Sequence, residues 1–160
     1  MAVVILGSSR SHGDTRKLTD FLVESKGYVF VDLNDYKISY YDYHNSNVDD
    51  DYLSLMQDIS KHDHLIFASP IYWYSMSAQM KTFFDRFTDI MTVRKDIGKS
   101  LAGKKVSVIS CSGSSSFNEE FPKPFERTAG YFDMEYHRHV HGWIKDSEVP
   151  SEVKQKLLQL

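Results

Sequence analysis

The sequence predicts an α/β fold: a five-stranded parallel sheet in the order 2-1-3-4-5 with helices on both faces. Short, continuously apolar, β-branched runs recur along the chain, which is how strands buried on both faces read. Segments of helical spacing lie between them, and such alternation makes a parallel sheet covered on both sides. Right-handed crossovers through five strands then favour that order.

The first strand is Val3-Val4-Ile5-Leu6, ending at Gly7. Similar runs follow at Tyr28-Val29-Phe30-Val31, His64-Leu65-Ile66-Phe67-Ala68 and Val106-Ser107-Val108-Ile109. Leu18, Phe21 and Leu22 mark the first helix. Tyr52, Leu55, Met56 and Ile59 mark the second, with Asp49, Asp50 and Asp51 as N-terminal charge and cap. Met80, Phe83, Phe84, Phe87 and Met91 form a third stripe. Phe117, Phe121 and Phe125 lie one turn apart, but Pro122 and Pro124 predict a broken or late start. A last short helix is expected after Pro150, with Val149, Val153 and Leu157 on one face. Residues 34 to 48 are the longest stretch without periodicity, and their Tyr36, Tyr40, Tyr41 and Tyr43 suit a functional or interface loop.

No linker or repeat interrupts the 160 residues, so residues 1–160 read as one domain. The net charge of −3, from 19 basic and 22 acidic side chains, leaves no electrostatic footprint for nucleic acid. No run approaches the ~20 apolar residues that span a bilayer, and the apolar N-terminal run stops too early for a signal peptide. A single cysteine, Cys111, precludes an internal disulfide and fits the reducing cytoplasm.

In such a sheet, ligands sit beyond the carboxyl ends of the strands near the switch point, so the loops after strands 1, 3 and 4 belong together. Gly7-Ser8-Ser9-Arg10-Ser11-His12-Gly13-Asp14-Thr15 leads straight into a helix. Its amides, hydroxyls and single Arg suit a phosphate; a capped Ser/Gly turn is the alternative. It is neither a Walker A loop nor a G-x-G-x-x-G fingerprint. Ser69-Pro70-Ile71-Tyr72-Trp73-Tyr74-Ser75-Met76-Ser77 puts three aromatics directly after a strand, as a wall for a flat heterocycle or as a subunit interface. Ser110-Cys111-Ser112-Gly113-Ser114-Ser115-Ser116 offers small residues and backbone amides, or simply a flexible turn. Together the loops describe a phosphate at one end, a ring beside aromatics, and donors at the ring's far edge, which is the layout of FMN.

Gly7-Ser8-Ser9-Arg10 with Gly13-Asp14-Thr15 resembles the FMN-phosphate loop of the NADPH-dependent FMN reductase and quinone reductase family. Asp32-Leu33 through Ile38, Tyr41 and Asp42 is similar to that family's segment after strand 2. Ser69-Pro70-Ile71-Tyr72-Trp73, with Lys81 and Asp85-Arg86, is similar to its flavin-ring loop and the helix after it. Leu101-Ala102-Gly103-Lys104-Lys105-Val106 resembles its entry to strand 4. The likeness covers most of residues 2 to 115.

It implies a flavodoxin-like three-layer sandwich and a homodimer. It also implies non-covalent FMN as cofactor, NADPH or NADH as co-substrate, and a quinone, flavin or similar small molecule as electron acceptor. Carried onto this chain, Ser8, Arg10 and Thr15, with Gly13 and Asp14 in the same loop, would hold the phosphate. Pro70, Ile71, Tyr72 and Trp73 would flank the isoalloxazine, and Ser112, Gly113 and Ser114 would meet its polar edge. The flavin does the hydride chemistry, so no catalytic side chain is assigned.

The family usually has Asn where this chain has Asp14, which sets an acid beside the phosphate; Asp14 is expected to turn toward the helix amides as a cap. No cysteine stands after strand 2, so no iron–sulfur cluster is expected. A flavodoxin-type electron carrier is the alternative function, although such carriers are usually strongly acidic. A thiol phosphatase would need Arg where Phe117 stands, and a receiver domain would need Asp where Ser69-Pro70 stands. His137, His139 and His141 alternate, so in a regular strand they would share one face, as a metal site or as the polar face of an edge strand. No metal is expected.

Overall fold

A computed structural model describes residues 1–47 and 49–160. Five strands, β1 (Ala2–Leu6), β2 (Val29–Asp32), β3 (His64–Pro70), β4 (Lys105–Cys111) and β5 (Glu135–Gly142), pair in parallel in the order β2-β1-β3-β4-β5. The expected sheet is thus observed. Alternation along the strands splits the interior in two. Val3, Ile5, Leu65, Phe67, Val106 and Val108 face one core, while Val4, Leu6, Ile66, Ala68, Ile109 and Val140 face the other.

Helices α1 (Asp14–Lys26) and α7 (Ser151–Leu157) cover the second core through Leu18, Leu22, Val153 and Leu157. The first core lies under α2 (Tyr52–Ile59), α3 (Ala78–Asp85), α4 (Phe87–Thr92), α5 (Lys95–Ser100) and α6 (Lys123–Tyr131). Pro122 delays α6, as its position predicts, and Phe121 packs into the core ahead of it. Residues 34 to 47 are irregular apart from a 3-10 turn at Leu33–Asp35; Val48, the last of the expected loop, lies outside the described residues.

Three expectations change. The stripe from Met80 to Met91 is two helices, because the chain tightens at Arg86, where the Asp89 amide bonds the Arg86 carbonyl at 2.9 Å. The aspartates before α2 do not simply cap it. Asp50 takes the Tyr52 amide, but Asp50 and Asp51 also accept the amides of Ser39 and Lys37, tying the tyrosine loop to the helix. Finally, Val106 pairs with Tyr136 and Ser107 with Arg138, leaving His137 as the extra residue of a β-bulge. The bulge turns His137 toward His64, 6.2 Å away between rings, while His139 and His141 lie on the other face against Ser110. The three histidines therefore do not share a face. Among the described residues, no three His, Cys, Asp or Glu side chains come together as a metal site.

The tyrosine loop is held from below by a fully buried arginine. Arg86 bonds Asp50, Asp89 at 2.7 Å and the Ser39 carbonyl at 3.0 Å, and its guanidinium lies 4.7 Å from the Tyr52 ring centroid. One cation thus faces two carboxylates. Removing it would leave both buried and uncompensated. Arg86→Met is expected to lower stability by about 3–5 kcal/mol in urea unfolding, with part recovered when Asp50→Asn and Asp89→Asn are added.

Two imidazoles couple the fold to pH. Burial, assisted by His137 and Lys105, holds His64 down at about 4. Burial, assisted by His141, holds His139 down at about 4. Both are ordinarily near ~6.5 when unfolded. Between those values the unfolded chain binds more protons, so stability rises with pH. The contribution is complete above about pH 6.5 and is lost as the pH falls toward 4. The urea midpoint should therefore be lower at about pH 4.5 than at about pH 7.5; equal midpoints would contradict this.

Candidate functional site

The switch point lies between β1 and β3, whose chains leave the sheet edge in opposite directions. There the loops after β1, β3 and β4 close a cleft of about 180 Å³. Its lining includes ten of the twelve expected binding residues: Ser8, Arg10, Gly13, Asp14, Thr15, Pro70, Ile71, Tyr72, Ser112 and Gly113. Cys111 lines it too. Trp73 and Ser114 lie outside the lining.

The β1 loop is shaped by close approach. A Cβ on Gly7 would come 2.8 Å from Met80 Cβ, so only glycine lets α3 pack so near the strand end. The Ser77 hydroxyl caps α3 by accepting the Met80 amide at 3.1 Å and donates to the Gly7 carbonyl at 2.7 Å. The Asn34 amide donates to the Ser8 carbonyl at 2.7 Å and reaches Ser11 Oγ at 3.2 Å, fixing the loop from the β2 side. Ser8 is buried, while Arg10 and His12 are exposed.

Gly13 is the N-cap of α1 and supplies no side-chain cap, so the first-turn amides face the cleft without an internal acceptor. A Cβ at Gly13 would lie 3.4 Å from Arg10 Nε, so the arginine arches over the glycine. Among the described residues Arg10 has no carboxylate partner. Uncapped amides beneath a free guanidinium form an anion cradle. The expected Asp14 cap is not made. Asp14 is the first helical residue, one position past the cap, and its carboxylate lies 3.5 Å from Lys17 Nζ.

The β3 loop opens with Ile71 N–H donating to the Cys111 carbonyl at 2.8 Å, which extends the sheet one residue beyond the strand. Tyr72 and Ser75 then exchange backbone bonds across a two-residue turn, with Trp73 at φ 47° and Tyr74 at φ 69°. Two left-handed residues suit such a turn, but Asn-Gly would make it without strain. Bulky side chains there cost on the order of 1–2 kcal/mol each. The strain projects both rings outward, Trp73 being 93% exposed. Tyr72 bends back, its hydroxyl 2.9 Å from Ser9 Oγ, and ties the second loop to the first at the cleft rim.

The β4 loop folds on its own hydroxyls. Ser112 Oγ donates to the Ser114 carbonyl at 3.1 Å, and His141 Nε2 lies 2.9 Å from that same oxygen. Cys111 sits at the cleft floor. Burial, with Asp14 nearby, pushes its thiol up to about 11 against the Thr15 hydrogen bond, so it stays protonated at neutral pH. Sequence reasoning missed Cys111 as lining. It also missed Asn34, Ser77 and His141 as supports, whose contacts join positions 26, 70 and 27 residues apart.

Residues 1–119 match the profile of the NADPH-dependent FMN reductase family. The Bacillus subtilis (strain 168) protein YwqN, named for NAD(P)H-dependent, FMN-containing oxidoreduction, is 30% identical over 149 residues, covering 87% of this chain and 82% of its own. The Trp repressor binding protein of Bacillus subtilis superposes with a TM-score of 0.78 at 24% identity, over 100% of this chain and 97% of that one. An FMN-dependent NADH-azoreductase from Bacillus anthracis, solved with FMN, superposes with a TM-score of 0.68 at 14% identity, over 99% and 94%. At those identities the two structures speak to the flavodoxin-like fold alone. The family profile covers the β1 and β3 loops and most of the β4 loop, and with YwqN it settles the relationship: the chain belongs to the NADPH-dependent FMN reductase family of oxidoreductases.

Proposed function

We propose that the cleft holds FMN and that residues 1–160 act as one cytoplasmic domain passing electrons from NADPH or NADH to a quinone, flavin or similar small acceptor. The uncapped α1 N-terminus beneath the unpaired Arg10 carries this reading. FMN, when bound, supplies the two-electron hydride chemistry. This chain's residues bind and orient it. Arg10 and the amides of Gly13, Asp14 and Thr15 hold the phosphate, with the Ser8 and Thr15 hydroxyls beside them. Pro70, Ile71 and Tyr72 flank the ring, and Trp73 and Tyr74 extend that wall outward. The Ser112 and Gly113 amides, with Ser114, meet the polar edge.

The cleft is smaller than the ~300 Å³ at which pockets bury a whole drug-sized ligand. The cleft would therefore take the phosphate end of FMN, with Arg10, Gly13 and Thr15 holding it. Asp14 opposes the phosphate, but Lys17 partly neutralises it. The cytoplasmic assignment rests on the chain's one cysteine, Cys111, which allows no internal disulfide and fits a reducing compartment. Among the described residues, no helix is long and apolar enough to cross a membrane.

A homodimer completes this reading. Tyr40 and Tyr43 are 82% and 85% exposed, and Leu33, Tyr36, Ile38 and Tyr40 face Ala78 and Gln79 of α3 across a recess of about 550 Å³. Aromatic surface of this kind is enriched at interfaces.

Arg10→Ala is expected to weaken FMN binding by about 1.5–3 kcal/mol in calorimetry, the contribution of a charged hydrogen bond. An unchanged dissociation constant would misplace the phosphate. In anaerobic stopped flow, NADPH or NADH should bleach the bound flavin; a protein that holds FMN and is reduced by neither would be an electron carrier. Light scattering should give a dimer at micromolar concentration, converted to monomer by Tyr40→Asp, and a wild-type monomer would remove the interface.

A further inference from the structure

Behind the His141 bond to the β4 loop lie two further side chains, Ser110 and His139, that the site described above leaves unused. His139 Nε2 lies 2.7 Å from Ser110 Oγ, and Ser110 Oγ lies 2.8 Å from His141 Nδ1. The far nitrogen of His141, Nε2, lies 2.9 Å from the Ser114 carbonyl oxygen and 3.3 Å from Ser112 Oγ. A carbonyl oxygen only accepts, so His141 Nε2 must carry a proton. In the neutral ring Nδ1 is then an acceptor, so the Ser110 hydroxyl must donate to it. The hydroxyl's lone pair is left for His139, whose Nε2 must be the protonated nitrogen. One acceptor at the loop therefore orders every proton in the chain, from His139 through Ser110 and His141 to Ser114.

The His141 ring cannot easily turn out of this line. It stacks on Phe117 at 4.8 Å and 30°, Trp143 lies on it at 6.2 Å, and its residue is only 6% exposed. Ser110 is wholly buried. The charged and titratable groups facing the recess around His141 are His139 and Arg138 on β5 and Lys156 on α7; no carboxylate is among its lining residues. Burial, with Lys156, holds the His141 imidazole below its ordinary value against the Ser114 carbonyl bond, which favours the charged ring. A proton on Nδ1 would turn the Ser110 hydroxyl from donor to acceptor on that side and change the order.

We propose that His141 is a positioning residue of the cleft, whose Nε2–H, held on that nitrogen by Ser110 and His139, fixes the Ser114 carbonyl and thereby presents the Ser112–Ser114 backbone to the polar edge of the flavin. The proposal rests on the cleft being an FMN site. It accounts for Ser114, which contributes its carbonyl to this bond and stands outside the cleft lining. It also explains why the β5 bulge matters: without it His139 and His141 would leave the Ser110 face.

Long-range proton–nitrogen NMR of the full-length protein should show His141 and His139 as Nε2–H tautomers at neutral pH. Calorimetry with FMN as the probe should show His141→Phe, which keeps the stacking and loses the bond, binding about tenfold more weakly, the upper end for one neutral hydrogen bond. His141→Gln, whose side-chain amide can donate to the same carbonyl, should stay within about threefold of wild type. An Nδ1–H tautomer for His141 would overturn the proposal. So would wild-type FMN affinity in His141→Phe alongside weakened binding in Arg10→Ala. If both variants bind as wild type, the FMN reading of the cleft fails instead.

Discussion

The Ser77 hydroxyl stands where three parts of the site meet. It caps α3 through the Met80 amide, donates to the Gly7 carbonyl at the end of β1, and belongs to a residue whose own amide is accepted by Ser69 Oγ at the end of β3. Ser69 and Ser77 are both fully buried. Burying hydroxyls is unfavourable unless each is bonded; Ser69 donates to the Pro70 carbonyl beside it, and Ser77 reaches across to Gly7 at the end of β1. The same contact draws α3 against Gly7 so closely that a Cβ has no room. A hydrogen bond within the protein thus joins the end of β1 to the loop after β3, the two segments on either side of the switch point.

Around that fixed seam the structure places polarity in order of burial. Arg86 is fully enclosed and spends its charge on Asp50, Asp89 and the tyrosine loop. Arg10 is exposed, lies over Gly13 and has no carboxylate partner among the described residues. The first arginine holds a loop in place; the second is available to an anion. Backbone strain follows the same division, since the left-handed Trp73 and Tyr74 sit at the cleft rim. Such strain persists only where surrounding structure enforces it, here the paired Tyr72 and Ser75.

Most of the sheet was legible because strands buried on both faces need continuous apolar runs, and β1, β3 and β4 have them. The late start of α6 and the place of α7 followed from prolines. Helix α5 was not legible: beside the buried Gly98 it has one buried apolar side chain, Ile97, among Lys95, Asp96, Lys99 and Ser100, too little apolar period to register. The break at Arg86 was hidden because the Phe stripe runs through it, and the arginine's inward turn depends on Asp50, 36 residues earlier. The bulge at His137 defeated a face assignment that simple alternation would give. For the cleft, loop composition was enough to bring ten residues together. Trp73 and Ser114 differ because turn geometry and the His141 bond, neither visible locally, decide where they go.

The central claim is that a phosphate sits under Arg10 at the start of α1. Phosphorus NMR of the protein loaded with FMN tests it directly. A phosphate monoester loses its second proton near pH ~6 in water. Held by a guanidinium and helix amides, it should remain a dianion well below that, because both favour the charged form. The account predicts a bound resonance that stays at its dianion position as the pH is lowered from about 7.5 to about 5.5. A bound resonance that titrates like free FMN over that range would contradict it.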